Sequence, residues 1–141
     1  MRILKSLLPA ICCLLLAACG DVSFKAITAS PPDRTATLDD EEGEITLSQG
    51  VALAVECTST SGGQHGPCPG MTHHVDDPGV AAVLAADVDE LRERYANGTV
   101  DTQQPAVFVV TARAVGSTTL RITTEHGGAT LMVTVRPAGQ P

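Results

Sequence analysis

The chain has 141 residues, enough for one domain, and a formal net charge of −7 at neutral pH. An acidic chain repels nucleic acid, and no basic stripe in the sequence reverses that repulsion. Aromatic residues are scarce, with two Phe, one Tyr and no Trp. Because sugars and single-stranded nucleic acids usually stack on aromatic rings, both ligand classes are unexpected here.

The first 19 residues have the layout of an export signal. Arg2 and Lys5 precede an apolar stretch from Leu7 to Leu16, and Ala17-Ala18-Cys19 follows. The apolar stretch is too short to span a bilayer, which needs about 20 apolar residues. The segment resembles a bacterial lipoprotein signal, which implies cleavage of residues 1–18 and acylation of Cys19. The alternative is an ordinary secretory signal with a chance cysteine at the cut.

An acylated Cys19 would hold the protein on a membrane. Lipoproteins of this kind usually carry two or three acyl chains, so detachment would be negligible. Gly20, rather than Asp, follows the cysteine. By resemblance to lipoprotein sorting in Gram-negative bacteria, this residue favours the outer membrane. Loss of the signal removes two basic residues and leaves seven basic and sixteen acidic ones, a net charge of −9.

After the signal, the sequence predicts a tether, one β-domain and a short C-terminal tail. Residues 19–43 are expected to form an acylated tether with a weak first strand at 22–29, broken by Ser30-Pro31-Pro32 and ending in a charged turn. Residues 44–136 show period-two alternation typical of half-buried strands. Residues 137–141 are expected to be a short tail.

The middle of the domain departs from this alternation. Residues 59–70, rich in Ser, Gly and Pro, are expected to form a loop. Residues 88–97 are expected to form a short helix, with Asp87 as N-cap and Gly98 as the stop. Leu91 and Tyr95 share one face of that helix and are expected to cover an end or edge of the domain.

The last part of the domain predicts three sequential strands at 107–112, 120–124 and 130–135. Gly116 is expected to turn the first strand into the second, and Gly127-Gly128 the second into the third. One face of the later strands is apolar and should be buried, while the other face is polar. The expected buried set is Leu120, Ile122, Leu131, Val133 and Val135, and the expected outer set is Arg121, Thr123 and Thr134.

Two segments resemble the bacterial immunoglobulin-like domains of group 2. Residues 76–83, DDPGVAAV, are similar to that family's S-D-P-x-V-A-x-V corner. Residues 110–123, VTARAVGSTTLRIT, are similar to its V-x-A-x-x-x-G-x-x-x-I-x segment. The resemblance covers roughly residues 44–136. It implies an all-β, immunoglobulin-like antiparallel β-sandwich, here with one short inserted helix, and a spacer or adhesion role without catalytic residues.

Cys57 and Cys68 are the cysteines that remain outside the signal and its cleavage site. In an exported protein such a pair predicts a disulfide. A zinc site that adds His65, His73 and His74 is the alternative. Ten residues separate the two cysteines, whereas compact zinc sites space them two to four apart. The sequence therefore favours the disulfide, and no metal is expected.

No motif in the sequence indicates catalysis or a cofactor. The serines lack a G-x-S-x-G context, and Gly62-Gly63 precedes no helix that could bind phosphate. The expected function is an envelope-anchored structural or interaction module, with an envelope protein as the partner class that fits this location. The alternative is a ligand-binding or enzymatic accessory subunit that uses the 58–70 loop and the 85–105 insertion.

Overall fold

The computed structural model describes residues 21–86 and 106–139, and these form strands and turns but no helix. In chain order the ten strands are β1 Asp21–Ala26, β2 Ala36–Asp39, β3 Glu44–Ser48, β4 Ala52–Ser61, β5 Gln64–Pro67, β6 Thr72–Val75, β7 Ala81–Ala86, β8 Ala106–Ala112, β9 Gly116–Thr124 and β10 Gly127–Arg136. The predicted helix at 88–97 lies outside the described residues. Within the described residues, no helix could cross a membrane.

The strands form two sheets of five strands each. Sheet A has the order β1-β4-β8-β7, with β5 pairing the end of β4, and sheet B has the order β2-β3-β10-β9-β6. All pairings are antiparallel except that of β3 with β10, which runs parallel from Glu44 opposite Met132 to Ser48 opposite Arg136. The predicted all-β sandwich is confirmed, with this parallel pair as an exception to its antiparallel pattern.

The core lies between the sheets and follows the predicted alternation. Each side chain of the expected buried set is at most 2% exposed, and the sheet A residues Leu53, Val55, Phe108 and Val110 pack against them. Arg121 and Thr123 are exposed and Thr134 is half-buried. A large aliphatic side chain contributes about 1.5–3 kcal/mol when it is fully buried, so this face fixes the register.

The sandwich begins earlier in the chain than Glu44, because two strands precede it. β1 pairs with β4 along all six of its residues, and the Phe24 side chain is 7% exposed. β2 pairs with β3. The weak first strand expected at 22–29 corresponds to β1, whereas β2 was not expected; the segment therefore contributes to both sheets, and the acidic turn connects β2 with β3.

The predicted turn glycines lie inside strands rather than in turns. Gly116 opens β9, and Gly127 and Gly128 open β10; the turns themselves are at 113–115 and 125–126. A Cβ atom on Gly116 would lie 3.2 Å from Cγ2 of Val80, and its φ of 151° disfavours other residues. Gly116 thus allows close packing against the Val80 side chain, and Gly128 close approach to the Ile122 backbone, constraints that local sequence does not reveal.

The chain enters and leaves the sandwich at opposite ends. Asp21 lies opposite Thr60, beside the β4–β5 and β9–β10 turns, and we call this the entry end. At the other end, the exit end, the N–H of Gln49 donates to the carbonyl of Arg136 and that of Gly50 to Ala112. The long axis of the sandwich therefore separates the N-terminal from the C-terminal residues of the described chain.

Candidate functional site

The segment expected to be a loop at 59–70 is largely a β-hairpin. β4 continues to Ser61, the chain turns at Gly62-Gly63, and β5 pairs back along β4. Both glycines have positive φ angles, 59° and 80°, as a two-residue hairpin turn of the primed type requires. The Ser, Gly and Pro content indicated a loop, but backbone pairing with the extended β4 decided the structure.

The predicted disulfide between Cys57 and Cys68 is present, with the two Cα atoms 5.5 Å apart. Cys57 is fully buried on the inward face of β4, opposite Phe24 of β1, and Cys68 is 5% exposed. The N–H of Cys68 also donates to the carbonyl of Cys57. The bond closes the hairpin against the core, and it leaves neither sulfur as a thiolate for a metal.

The three histidines of the zinc alternative do not come together. His65 lies on β5 in sheet A, where its Nδ1 is 2.8 Å from Oγ1 of Thr60. His73 and His74 lie on β6 in sheet B. Among the residues of the described ranges, no three His, Cys, Asp or Glu side chains form a group that could hold a metal ion.

A shallow groove runs along the hairpin at the entry end. It has a volume of about 300 Å³ and includes Ser59, Ser61, Gln64, His65, Pro69 and His126 in its lining. The β9–β10 turn forms one wall, because the N–H of Glu125 donates to the carbonyl of Pro69. Its lining combines hydroxyl, amide and imidazole groups with Pro67 and Pro69, so the groove offers both hydrogen bonds and apolar contact.

A second polar cluster lies on the outer face of sheet B. Nη2 of Arg121 is 2.9 Å from Oδ2 of Asp76, and Nε2 of His74 is 3.5 Å from Oδ1 of the same carboxylate. All three side chains are exposed. Such surface ion pairs contribute about 0–1 kcal/mol to stability, and this one joins the 76–80 corner to β9.

The acidic turn between β2 and β3 has structural roles for two of its carboxylates. Oδ1 of Asp40 accepts a hydrogen bond from the N–H of Phe24 at 3.0 Å, which ties β1 to the other sheet. Oδ1 of Asp39 accepts from the N–H of Glu42 at 3.1 Å and closes the turn itself. The turn is otherwise exposed, as expected of a solvated charged turn.

Cys19 lies outside the described residues, and its acylation stays a prediction. Its position in the chain is nevertheless informative, because only Gly20 separates it from the first residue of β1. Most of the 85–105 insertion also lies outside the described residues. The part of it that belongs to β7 ends at Ala86, and β8 resumes the sheet at Ala106.

The two packed sheets and their strand order define an immunoglobulin-like β-sandwich. No protein-family model matches the chain, and no curated protein matches it. The group 2 resemblance therefore stays a prediction, while the immunoglobulin-like fold that it implied is confirmed.

Solved structures of a bacterial surface-layer protein share this fold. Domains 5–6 of the S-layer protein SbsC are 20% identical, with a TM-score of 0.51 over 76% of this chain and 45% of that chain. Domains 1–6 of the same protein are 14% identical, with a TM-score of 0.52 over 88% and 21%. This chain thus spans less than half the length of either structure, and the likeness concerns the fold alone.

Proposed function

We propose that the protein is a lipid-anchored envelope protein whose single immunoglobulin-like sandwich is a structural or interaction module without catalytic activity. The observation that carries this proposal is the arrangement of the chain ends. The strand that follows Cys19 begins at the entry end, and the last strand finishes beside Gln49 at the exit end. A module built this way holds its exit end away from an anchor.

The fold supports a role in the cell envelope. The structural neighbours are domains of a surface-layer protein, and they use the same sandwich with low sequence identity. The Cys57–Cys68 disulfide agrees with export to an oxidising compartment. Acyl chains on Cys19 would supply the membrane attachment, and Gly20 favours the outer membrane as the destination.

The groove at the entry end bears on the rival function, a ligand-binding or enzymatic accessory subunit. Small-molecule sites typically enclose about 300–1,000 Å³ and are mostly apolar. This groove, at about 300 Å³, is at the lower limit of that range and is an open surface groove rather than an enclosed cavity. The hairpin therefore favours an interaction surface over a ligand pocket, while the 85–105 insertion remains the rival's other candidate region.

Mass spectrometry of the mature N-terminus tests the anchor. The expected product begins at Cys19 and carries acyl chains, and a Cys19→Ala variant should be released from membranes. An unmodified N-terminus at another residue would overturn the anchor.

Crosslinking in the intact envelope followed by affinity purification tests the interaction role of the module. Recovery of a specific protein partner is expected. A bound small molecule that the purified protein converts to a product would instead favour the ligand-binding or enzymatic accessory subunit.

A further inference from the structure

We propose that the outer edge of β1 is a strand-pairing surface for a second copy of this chain, and that the Asp40 carboxylate keeps this edge closed. The surface is the backbone of Asp21–Ala26 on the side away from β4. Its closure does not depend on acylation of Cys19.

β1 forms one border of sheet A. Within the described residues, β4 is the one strand that pairs with it. A border strand presents backbone N–H and C=O groups to any further strand, and proteins protect such borders with prolines, bulges, charges or covering segments. Asp21–Ala26 contains no proline, and its register with β4 runs over six consecutive pairs without a bulge. The backbone of β1 itself therefore offers no obstacle to a further strand.

The N–H of Phe24 points away from β4. In an antiparallel pair, alternate residues direct both of their backbone groups toward the partner strand or away from it. Ile27, just beyond β1, donates its N–H to the carbonyl of Ala54 on β4 at 2.9 Å. Phe24, three residues earlier, has the opposite parity. Its N–H and C=O therefore face outward, as do those of Val22 and Ala26.

Asp40 occupies the central N–H of this outward row. Its Oδ1 accepts the Phe24 N–H at 3.0 Å, from 16 positions further along the chain. Asp40 directly follows β2, the edge strand of sheet B, so the bond joins the borders of the two sheets. The carboxylate lies where the carbonyl of a further strand would have to bind. Asp40 therefore blocks strand pairing at the middle of β1.

The occupant that fits an opened edge is β1 of a second copy. Two β1 strands can run antiparallel about a twofold axis at Phe24, with Val22 of each copy opposite Ala26 of the other. Such a self-complementary contact closes on itself and forms a dimer. In the native sequence this pairing would break two bonds between Asp40 and Phe24 and bring two acidic turns together. We therefore expect the native domain to remain a monomer.

The closed edge has a consequence for the proposed function. Acylation would confine the copies to one membrane surface and raise their effective concentration. An open β1 edge would then pair the copies with each other, whereas a closed edge leaves each module available to another protein. This consequence rests on the proposed function. Failure of the protein to acquire acyl chains at Cys19 would remove it and leave the closed edge intact.

Sedimentation velocity over a concentration series tests the closed edge in a mature Cys19→Ala chain. This chain should be monomeric. Adding Asp40→Ala should tighten dimerisation about tenfold or more, because a hydrogen bond to a charged group is worth at least that factor in an equilibrium constant. Two matched controls should stay monomeric. Asp40→Asn keeps an acceptor oxygen, and Glu41→Ala removes a charge from the same turn.

A second substitution identifies the interface. Val22→Pro removes an outward N–H and leaves the bonds to β4 in place, as proline on an edge strand does. Combined with Asp40→Ala, it should restore the monomer. A folded Asp40→Ala chain that stays monomeric would overturn the proposal, and so would a dimer that Val22→Pro leaves intact. Dimerisation of Asp40→Asn would assign the closure to charge and overturn the role of the hydrogen bond.

Amide exchange followed by NMR gives a readout that needs no substitution at position 40. In the Cys19→Ala chain, the Phe24 N–H should be protected about tenfold or more relative to the N–H groups of Val22 and Ala26, which face the same way. Equal protection of the three groups would show that Asp40 does not hold the Phe24 N–H, and would end the proposal even if Asp40→Ala failed to fold.

Discussion

The rings of Phe24 and Phe108 meet edge to face, with their centroids 6.1 Å apart and their planes at 80°. Phe24 lies on the first strand and Phe108 on a central strand of the same sheet, and both are buried. Phe24 and Phe108 are the Phe, Tyr or Trp residues of the described ranges, so the aromatic packing described there is concentrated at one point. That point fixes the strand nearest the predicted anchor to the centre of the core.

A double-mutant cycle measures this contact. In a Cys19→Ala background, Phe24→Leu and Phe108→Leu keep most of the apolar volume but remove the ring pair. We expect a coupling free energy of about 0.5–1.5 kcal/mol, as edge-to-face pairs show. Urea unfolding of the two single variants and the double variant gives the value. Additive effects of the two substitutions would contradict an energetic contribution from the ring pair.

Asp40 is expected to stabilise the fold more than its acidic neighbours do. Asp40→Ala leaves the Phe24 N–H without its acceptor, and hydrogen bonds to charged groups are worth about 1.5–3 kcal/mol. Because the bond is only partly buried, we expect a loss near the lower value. Glu41→Ala is the matched control, since this exposed side chain should change the unfolding free energy by less than about 0.5 kcal/mol. Equal losses in both variants would rule out a special role for Asp40.

Reduction of the disulfide should destabilise the domain without changing its fold. The cysteines are 11 positions apart, and closing a loop of this size stabilises by about 3 kcal/mol in the chain-entropy model. Urea unfolding with and without a reductant measures the difference. The Cys57→Ala/Cys68→Ala variant should show at least the same loss and no further response to the reductant. Unchanged stability on reduction would argue against the bond, and non-reducing peptide mapping would identify it directly.

Gly128 should not tolerate a side chain. A Cβ atom there would lie 2.7 Å from the carbonyl oxygen of Ile122, which is backbone and cannot rotate away. Gly128→Ala is therefore expected to cost about 1–3 kcal/mol, as overpacking does. Thr130→Ala, two residues along the same strand on an exposed position, serves as the control and should cost far less. Thermal unfolding of both variants decides the point, and similar melting temperatures would contradict the clash.

Alternation over residues 107–135 was sufficient to predict three strands and their buried face, because period two with β-branched residues has few other solutions. The same sequence misled on turns. Gly116 and Gly128 indicated turns by their flexibility, but Val80 and Ile122 require them for close packing. Those contacts join distant parts of the chain, so no local pattern contains them.

The N-terminal strands show a different limit of prediction. β2 has four residues beside an acidic run, too few to display a period. It becomes a strand because β3 offers an edge with matching register. For the candidate site, the cysteine pair predicted the disulfide. The β4–β5 hairpin was not predicted, because residues 59–70 are rich in Ser, Gly and Pro and therefore indicated a loop. The groove shared by His65 and His126 joins two hairpins some 60 positions apart and left no signal in either segment.

The parallel pairing of β3 with β10 determines when this protein can fold. β10 is the central strand of sheet B and the last strand of the described chain, so β3 has a partner on only one side until the C-terminal residues arrive. Contacts this distant in sequence form slowly, because a long loop must close before they contribute stability. In the proposed export, a chain that emerges residue by residue can therefore complete sheet A before β10 arrives. Sheet B can close only when β10 is present, because both β3 and β9 pair with it.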